Sequence, residues 1–483
     1  MSYSTVFENV SGFYERIAQV YTEDELKEIK FHRNMIDLQF RIASTNTSTK
    51  IFENQKKIAS RIIEDFKGGS LINEMVISPT QSGKTGIICE TIRLIIKETN
   101  IPHENIYIIT GLSSVEWKKQ TKKRIPDLFS NRVFHRNDLN SNFKEDIKTK
   151  KNIFIILDEV QIASAKNQTI HKVFKELGYM DIKSILEKDV KFIEITATPN
   201  GSIYDLLKWG ENFSKKIIVS PPPEYTSCFK LLEENRVKDY KDLCDSPDAI
   251  ENIKELKKTI KTVYLTPRYH IIRTKAAELQ QVTKNNFNKV FGNKCNFIDF
   301  DFLSEESDIN DILGTKPKKH TFIFIKEKLR CAKTIEDKSI MGVYYERFTS
   351  LPEDDVIIQG MLGRATGYND NGDSIVYTNI DSINKYRELL MSNFERTDIN
   401  WVSSSTSFKN DKLRSVNYFN TPSNITGFKA IEYENDIETI EEKKERLLKE
   451  KEQKELRKEE RKREKEEKDK IKEEAKKVKE AKK

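Results

Sequence analysis

The chain has few of the residues that build cross-linked or metal-bound folds. Its five cysteines (Cys89, Cys228, Cys244, Cys295, Cys331) are odd in number, far apart and never in a C-x-x-C pair. That excludes a disulfide framework and a zinc knuckle, and fits a reducing compartment. The six histidines show no metal-ligand spacing, so no structural metal is expected. No apolar run approaches the about 18 residues of a membrane span, and the N-terminus has no basic segment followed by an apolar one. A soluble, intracellular protein with no membrane partner is expected. Net charge is scarce too. Residues 441–483 hold 20 Lys and Arg against 15 Asp and Glu, so five of the chain's +7 belong to this tail and only two to the rest. A nearly neutral body excludes a global positive field, and any nucleic-acid contact there must come from a local groove.

With 483 residues, the chain is too long for one ordinary core, and two or three domains are expected. The stretch that organises them is Met75 to Ile88, MVISPTQSGKTGII. An apolar run, Met75-Val76-Ile77, reads as the end of a buried strand. A small-residue loop with Thr80, Gln81, Ser82 and Gly83 leads into Lys84-Thr85 and then a helical pattern through Ile87, Ile88, Ile92 and Ile95. Strand, loop, Gly-Lys-Thr and helix are the physical recipe for a nucleotide triphosphate site. Backbone N–H groups and the positive end of the helix dipole meet the phosphates, Lys84 reaches the β- and γ-phosphates, and Thr85 sits on magnesium. The strict pattern asks for glycine at position 78, where this chain has Ser78. The alternative is a strand-to-helix turn that happens to carry Gly-Lys-Thr.

Downstream, Ile106 to Ile109 is a buried-strand signal that runs into Thr110-Gly111-Leu112-Ser113-Ser114. A helix follows with Trp117, Lys118, Lys119, Gln120, Lys122, Lys123 and Arg124. Hydroxyl residues at a strand end (Thr110, Ser113) before a basic helix suit contacts to a phosphate backbone, or else form a βα loop with a solvated basic face. Ile153 to Leu157 is the clearest buried strand and ends in Asp158-Glu159-Val160-Gln161. One carboxylate at a strand tip (Asp158) can hold magnesium while the next (Glu159) polarises the attacking water. A third strand, Val190 to Ile195, ends in Thr196-Ala197-Thr198-Pro199, whose hydroxyls could sense whether the acid pair is engaged.

In this order, S-P-T-Q-S-G-K-T, T-G-L-S, D-E-V-Q and T-A-T-P resemble the first half of a superfamily 2 (DEAD/DEAH-like) helicase, in wording closest to the helicase-like ATPases of large double-stranded DNA viruses. The resemblance covers roughly residues 50–390. It implies an α/β fold of two tandem RecA-like parallel-sheet domains, with ATP and magnesium in the cleft between them and nucleic acid across their tops. Thr80, Ser82, Gly83, Lys84 and Thr85 would cradle the nucleotide, and Gln55, on a helix expected over Phe52 to Phe66, would fork its amide onto adenine. Gln161, Thr196 and Thr198 would couple the sites. Asp355 to Tyr368 (DVIIQGMLGRATGY) resembles motif VI: Gln359 matches its leading glutamine, shifted by one, and Gly363-Arg364 its Gly-Arg. Arg364 would then be an arginine finger completing the catalytic set of Lys84, Asp158 and Glu159. The family's second arginine is missing, and Gly367 and Tyr368 stand there instead. Thr266, Arg268 and Arg273, in a segment following Thr262 to Leu265, are further candidates for backbone contact.

The expected domains are an N-terminal helical segment at 1–45 with Thr22 and Glu25 as a capping box, a first RecA-like domain at 46–222 and a linker at 223–258 after the triple proline Pro221-Pro222-Pro223. A second RecA-like domain is expected at 259–391, with strands at Phe297 to Phe300, Thr321 to Ile325, Met341 to Tyr345 and Ser374 to Thr378. A Ser-, Asn- and Thr-rich linker at 392–436 and a charged single helix at 437–483 follow, the latter supported by Glu442 with Arg446 and Glu445 with Lys449 at i,i+4. A helicase acting on DNA or RNA, a double-strand translocase without unwinding and an inactive helicase-derived scaffold all stay open. If the chain is viral, the host cytoplasm or the virion and the viral replication or transcription proteins are its surroundings, and a monomer is expected.

Overall fold

The computed structural model describes residues 22–45, 51–67, 71–110, 115–125, 127–159, 169–179, 181–199, 213–275, 278–300, 308–326, 334–369, 372–396 and 398–403, with short pieces at 408–409, 412–413 and 417–418. The chain divides into residues 1–428 and 429–483, and the second unit, with the expected charged helix, lies outside the described residues. No helix among the described residues is long and apolar enough to cross a membrane.

Two six-stranded sheets carry the fold. The first comprises β1 (Asn73–Ile77), β2 (Ile106–Thr110), β3 (Val133–Phe134), β4 (Ile153–Asp158), β5 (Val190–Thr196) and β6 (Ser214–Ile218), in the order β3-β2-β4-β5-β1-β6. The second comprises β7 (Val237–Asp239), β8 (Tyr269–Arg273), β9 (Asn296–Phe300), β10 (Thr321–Ile325), β11 (Met341–Tyr345) and β12 (Ile375–Thr378), in the order β7-β12-β11-β8-β10-β9. Every pair within these two sheets is parallel. Parallel strands are covered on both faces, which is why β4 and β10 read as continuous apolar runs and are buried along their whole length. These are tandem RecA-like domains, as the motif order implies.

Helices α1 (Glu23–Thr45), α2 (Glu53–Lys67), α3 (Lys84–Glu98) and α4 (Val115–Arg124) belong to the first lobe. The capping box of α1 is present: Glu25 accepts from the Thr22 N–H at 2.8 Å, and the Glu25 N–H donates to the Thr22 hydroxyl at 3.4 Å. One sheet face packs on α2 and α3 through Ile62, Phe66, Ile92 and Ile95. The other face packs on α5 (Thr169–Glu176) and α6 (Ile182–Lys188) through Val173, Phe174 and Ile185.

In the second lobe, α8 (Ala249–Val263) and α9 (Glu278–Phe291) cover one face. The other is covered by α7 (Cys228–Glu233), α10 (Asp354–Gln359), α11 (Met361–Ala365) and α12 (Ile380–Met391). Met75 and Ile77 of β1 join this last apolar cluster, so the first lobe's nucleotide strand packs partly on the second lobe.

Three expected boundaries are corrected. Residues 223–258 are not a linker: they supply α7, most of α8 and the edge strand β7, which pairs with β12. A three-residue edge strand leaves too little apolar alternation to be recognised in sequence. Thr262 and Val263 end helix α8, and the strand starts only at Tyr269. Residues 392–403 belong to the second lobe as well. Phe394 and Trp401 are buried in its core, the Trp401 Nε1–H donates to Asp355 Oδ1 at 2.9 Å, and the Val402 N–H donates to Asp354 Oδ2 at 2.7 Å.

Candidate nucleotide site

The carboxyl ends of β1, β2, β4 and β5 open on one side, where ligands bind on open parallel sheets. After β1 the chain turns through Ser78–Gly83 into α3. The Ser78 hydroxyl, standing where the strict pattern has glycine, bonds to the Ser82 hydroxyl at 2.6 Å and ties the base of the loop. Gln81 (φ 59°) and Gly83 (φ 98°) adopt left-handed conformations. Gly83 is also required for space: a Cβ there would lie 1.9 Å from Gln55 Nε2.

A cavity of about 280 Å³ lies beside this loop, and its lining collects Lys84, Thr85, Asp158 and Glu159 from the first lobe with Gln359 and Arg364 from the second. Lys84 Nζ pairs with Glu159 Oε1 at 2.7 Å. The other oxygen, Oε2, accepts from the Thr196 hydroxyl at 2.7 Å and from Gln359 Nε2 at 3.0 Å. Gln359 Nε2 also donates to the Thr198 hydroxyl at 2.7 Å. Glu159 itself has φ 52°, a strained conformation for a side chain of its size, which turns it away from the direction of Asp158. Arg364 is 1% exposed and donates from Nη2 to the Gln359 carbonyl at 3.2 Å.

Asp158 accepts from the Trp117 indole N–H on Oδ2 at 2.8 Å, while its buried Oδ1 has no protein partner among the described residues. Burial, with the Glu159 charge adding to it, pushes the Asp158 carboxyl up to about 6. That carboxylate oxygen and the Thr85 hydroxyl, from two residues lining one cavity, are an all-oxygen donor set that fits magnesium, which takes one or two protein ligands plus phosphate oxygens.

Other expected positions are placed differently. Gln55 lines the cavity but spends its amide on the protein: Nε2 lies 3.5 Å from the Ser82 carbonyl, and Oε1 accepts from the Phe52 N–H at 3.1 Å. Ser82 is fully buried, its hydroxyl used within the loop. Thr80 faces the second lobe, its hydroxyl 3.5 Å from the Ile358 carbonyl and its own carbonyl accepting from the Tyr225 and Thr366 hydroxyls at 2.6 and 2.9 Å. Thr110 is fully buried beside Asp158, its register partner, rather than on a surface. Ser113 and Gln161 lie outside the described residues.

Thr266 and Arg268 precede β8, at the sheet end opposite the strands' carboxyl termini, and Arg268 is engaged with the Ser339 carbonyl and Asp373. Arg273 is buried, its Nε 3.1 Å from Glu346 Oε1. As folded, these three are not a shared nucleic-acid surface. All three flank or lie on one strand, and sequence does not say which end of that strand faces the cleft.

Four residues with no expected part in the site join it. Trp117 and Arg124 reach it from α4, Tyr368 donates its hydroxyl to the Ser82 carbonyl at 3.1 Å, and Lys338, 1% exposed, donates to Gln81 Oε1 at 2.9 Å. Burial, and then the nearby Arg364 charge, bring the Lys338 ammonium down to about 7. The i, i+3, i+4, i+7 spacing of Trp117, Gln120, Thr121 and Arg124 was the readable signal for α4, masked by the lysines between them.

Fold and site together define a helicase-like architecture, two RecA-like lobes around a phosphate-loop cavity, and the motif order resembles superfamily 2. No family model matches the chain. It is 25% identical over 391 residues to an uncharacterized protein of Acanthamoeba polyphaga mimivirus, covering 76% of this chain and 94% of that one. Among solved structures, it is similar to Saccharomyces cerevisiae Dbp5 bound to RNA and ADP BeF3 (12% identity, 72% of this chain and 92% of that chain, TM-score 0.43). It is also similar to RecG bound to a three-way DNA junction (15% identity, 80% and 51%, TM-score 0.43) and to the Escherichia coli DEAH/RHA helicase HrpB (11% identity, 77% and 49%, TM-score 0.43).

Proposed function

We propose that the chain is an ATP-dependent nucleic-acid motor, a helicase or translocase that couples ATP hydrolysis to movement along DNA or RNA. The observation that carries this reading is that one carboxylate, Glu159, is held at once by the phosphate-loop lysine and by Gln359 of the other lobe. Lys84 leaves Glu159 for the β- and γ-phosphates when ATP enters, freeing Glu159 to orient water and take its proton. Asp158 and Thr85 would hold magnesium, whose charge would offset that of the phosphate oxygens. Arg364 stabilises the charge that develops on the transferring phosphoryl group. Thr196, Thr198 and Gln359 link the state of Glu159 to lobe closure, and alternation of open and closed lobes drives stepping on a strand. The likeness to a mimivirus protein supports a source among large DNA viruses, and viral transcription or replication proteins would then be partners.

The test is the ATPase rate against single- and double-stranded DNA and RNA, beside strand-displacement and triplex-displacement assays. Strand displacement supports a helicase, and triplex displacement alone a double-strand translocase. Absence of ATPase activity on every nucleic acid refutes the motor and leaves a scaffold, and normal turnover by Lys84→Ala refutes the assignment of the site.

A further inference from the structure

Helix α4 turns two faces to two surroundings. Trp117, Gln120, Thr121 and Arg124 all line the nucleotide cavity, whereas Lys119 and Lys123 are exposed. On the cavity face, Arg124 Nη1 lies 3.3 Å from the Thr85 hydroxyl, and Nη2 lies 3.4 Å from the hydroxyl of Thr334 in the second lobe. Among the described residues Arg124 makes no ion pair; its side-chain bonds there are to these two hydroxyls.

A guanidinium drawn partly out of water, with the Glu336 and Asp158 carboxylates near it but neither in an ion pair with it, gains from an anion that completes its shell. Lys84, the neighbouring cation from the same lobe, is already matched by Glu159. Arg124 sits against Thr85, the hydroxyl expected beside the terminal phosphates, and its planar fork suits two phosphate oxygens.

We propose that Arg124 is a phosphate-binding arginine of the nucleotide site, supplied by the first lobe, and that it takes over the charge absent at Gly367 in the second. The inference rests on the nucleotide reading above. On binding, the guanidinium exchanges its two hydroxyl partners for oxygens of the β- and γ-phosphates. Because one of those partners, Thr334, is in the second lobe, triphosphate binding also exchanges a contact that spans the cleft.

The test uses the full chain with magnesium and two fluorescent nucleotides, an ADP and a non-hydrolysable ATP analogue, alongside steady-state ATPase rates and thermal unfolding. Arg124→Gln is expected to weaken the triphosphate analogue by about 10- to 100-fold, the effect of losing a charge-assisted pair, with a smaller loss for ADP and a fall in kcat. Arg124→Lys is expected to recover part of both and carries the test if the glutamine variant does not fold. A parent that binds both nucleotides and an Arg124→Gln variant with unchanged triphosphate-to-diphosphate preference would overturn the inference and leave the nucleotide reading standing. The same unchanged preference in Arg124→Lys, where only that variant folds, has the same meaning. A parent that binds neither nucleotide overturns both.

Discussion

Gln359 and Glu159 meet across the cleft, with Nε2 donating to Oε2 at 3.0 Å. A residue 200 positions away thereby holds the carboxylate that Lys84 holds from the other side. On the proposed reading, this bond carries lobe movement to the residue that activates water.

Gln359→Ala should therefore lower nucleic-acid-stimulated turnover by about 10- to 100-fold, the scale of losing one positioned donor to a reacting group, and leave ATP binding nearly intact. Steady-state ATPase with and without nucleic acid separates kcat from KM. An unchanged stimulation ratio would remove Gln359 from the coupling path.

Trp117→Phe keeps the ring but deletes the N–H that fixes Asp158 Oδ2. Loss of such an outer-shell bond typically costs about 10- to 100-fold in metal affinity. The magnesium concentration for half-maximal ATPase should rise accordingly, with little change in thermal unfolding.

Arg273 and Glu346 form a buried pair, and Glu346 Oε2 also accepts from the Met361 N–H at 3.1 Å. Removing one partner leaves the other charge buried alone, at a cost of about 3–5 kcal/mol. Arg273→Met should move the urea midpoint sharply. At permissive urea its nucleic-acid binding should keep the parent's salt slope, because the side chain holds the second lobe together rather than a phosphate.

Glu74 lies on β1, between β5 and the edge strand β6, where burial, with the Asp65 carboxyl adding to it, pushes its pKa up to about 9. A raised carboxyl favours the protonated form in the fold. Its contribution to stability is thus complete below the unfolded value near 4.5 and declines as pH rises towards 9. Glu74→Gln should unfold at a higher temperature than the parent at pH 8, and the gap should close towards pH 5. The upper bound at neutral pH is about 3 kcal/mol. An equal gap at both pH values would mean that packing, not charge, is responsible.

Much of this was legible because it is local. Met75–Ile77 and Ile153–Leu157 announce buried parallel strands by unbroken apolar character, Val190–Ile195 does so despite Lys191 and Glu194, and Lys84, Asp158 and Glu159 follow the first two. Gln359 and Arg364 were found by the same local wording. What stayed hidden depends on the third dimension. Val237–Asp239 is too short to show a period, and Trp401 packs into the core from within a stretch that reads as linker. Arg273 looks like a free cation until Glu346 arrives from another strand. Arg124 looks like one more member of a solvated basic face until α4 is rotated against the cavity.

The seam between the lobes has a chemistry of its own. The Thr80 carbonyl accepts two hydroxyls from the far side, Tyr368 and Tyr386 donate theirs to the Ser82 and Ala197 carbonyls, and Gln359 reaches Thr198. Each of these is a neutral contact that water replaces at a net cost of only about 0.5–1.5 kcal/mol. Such contacts part and re-form without a large toll at any one cycle, and the salt sensitivity of the joint falls to its charged contacts, Lys216 with Glu395 and Lys338 with Gln81.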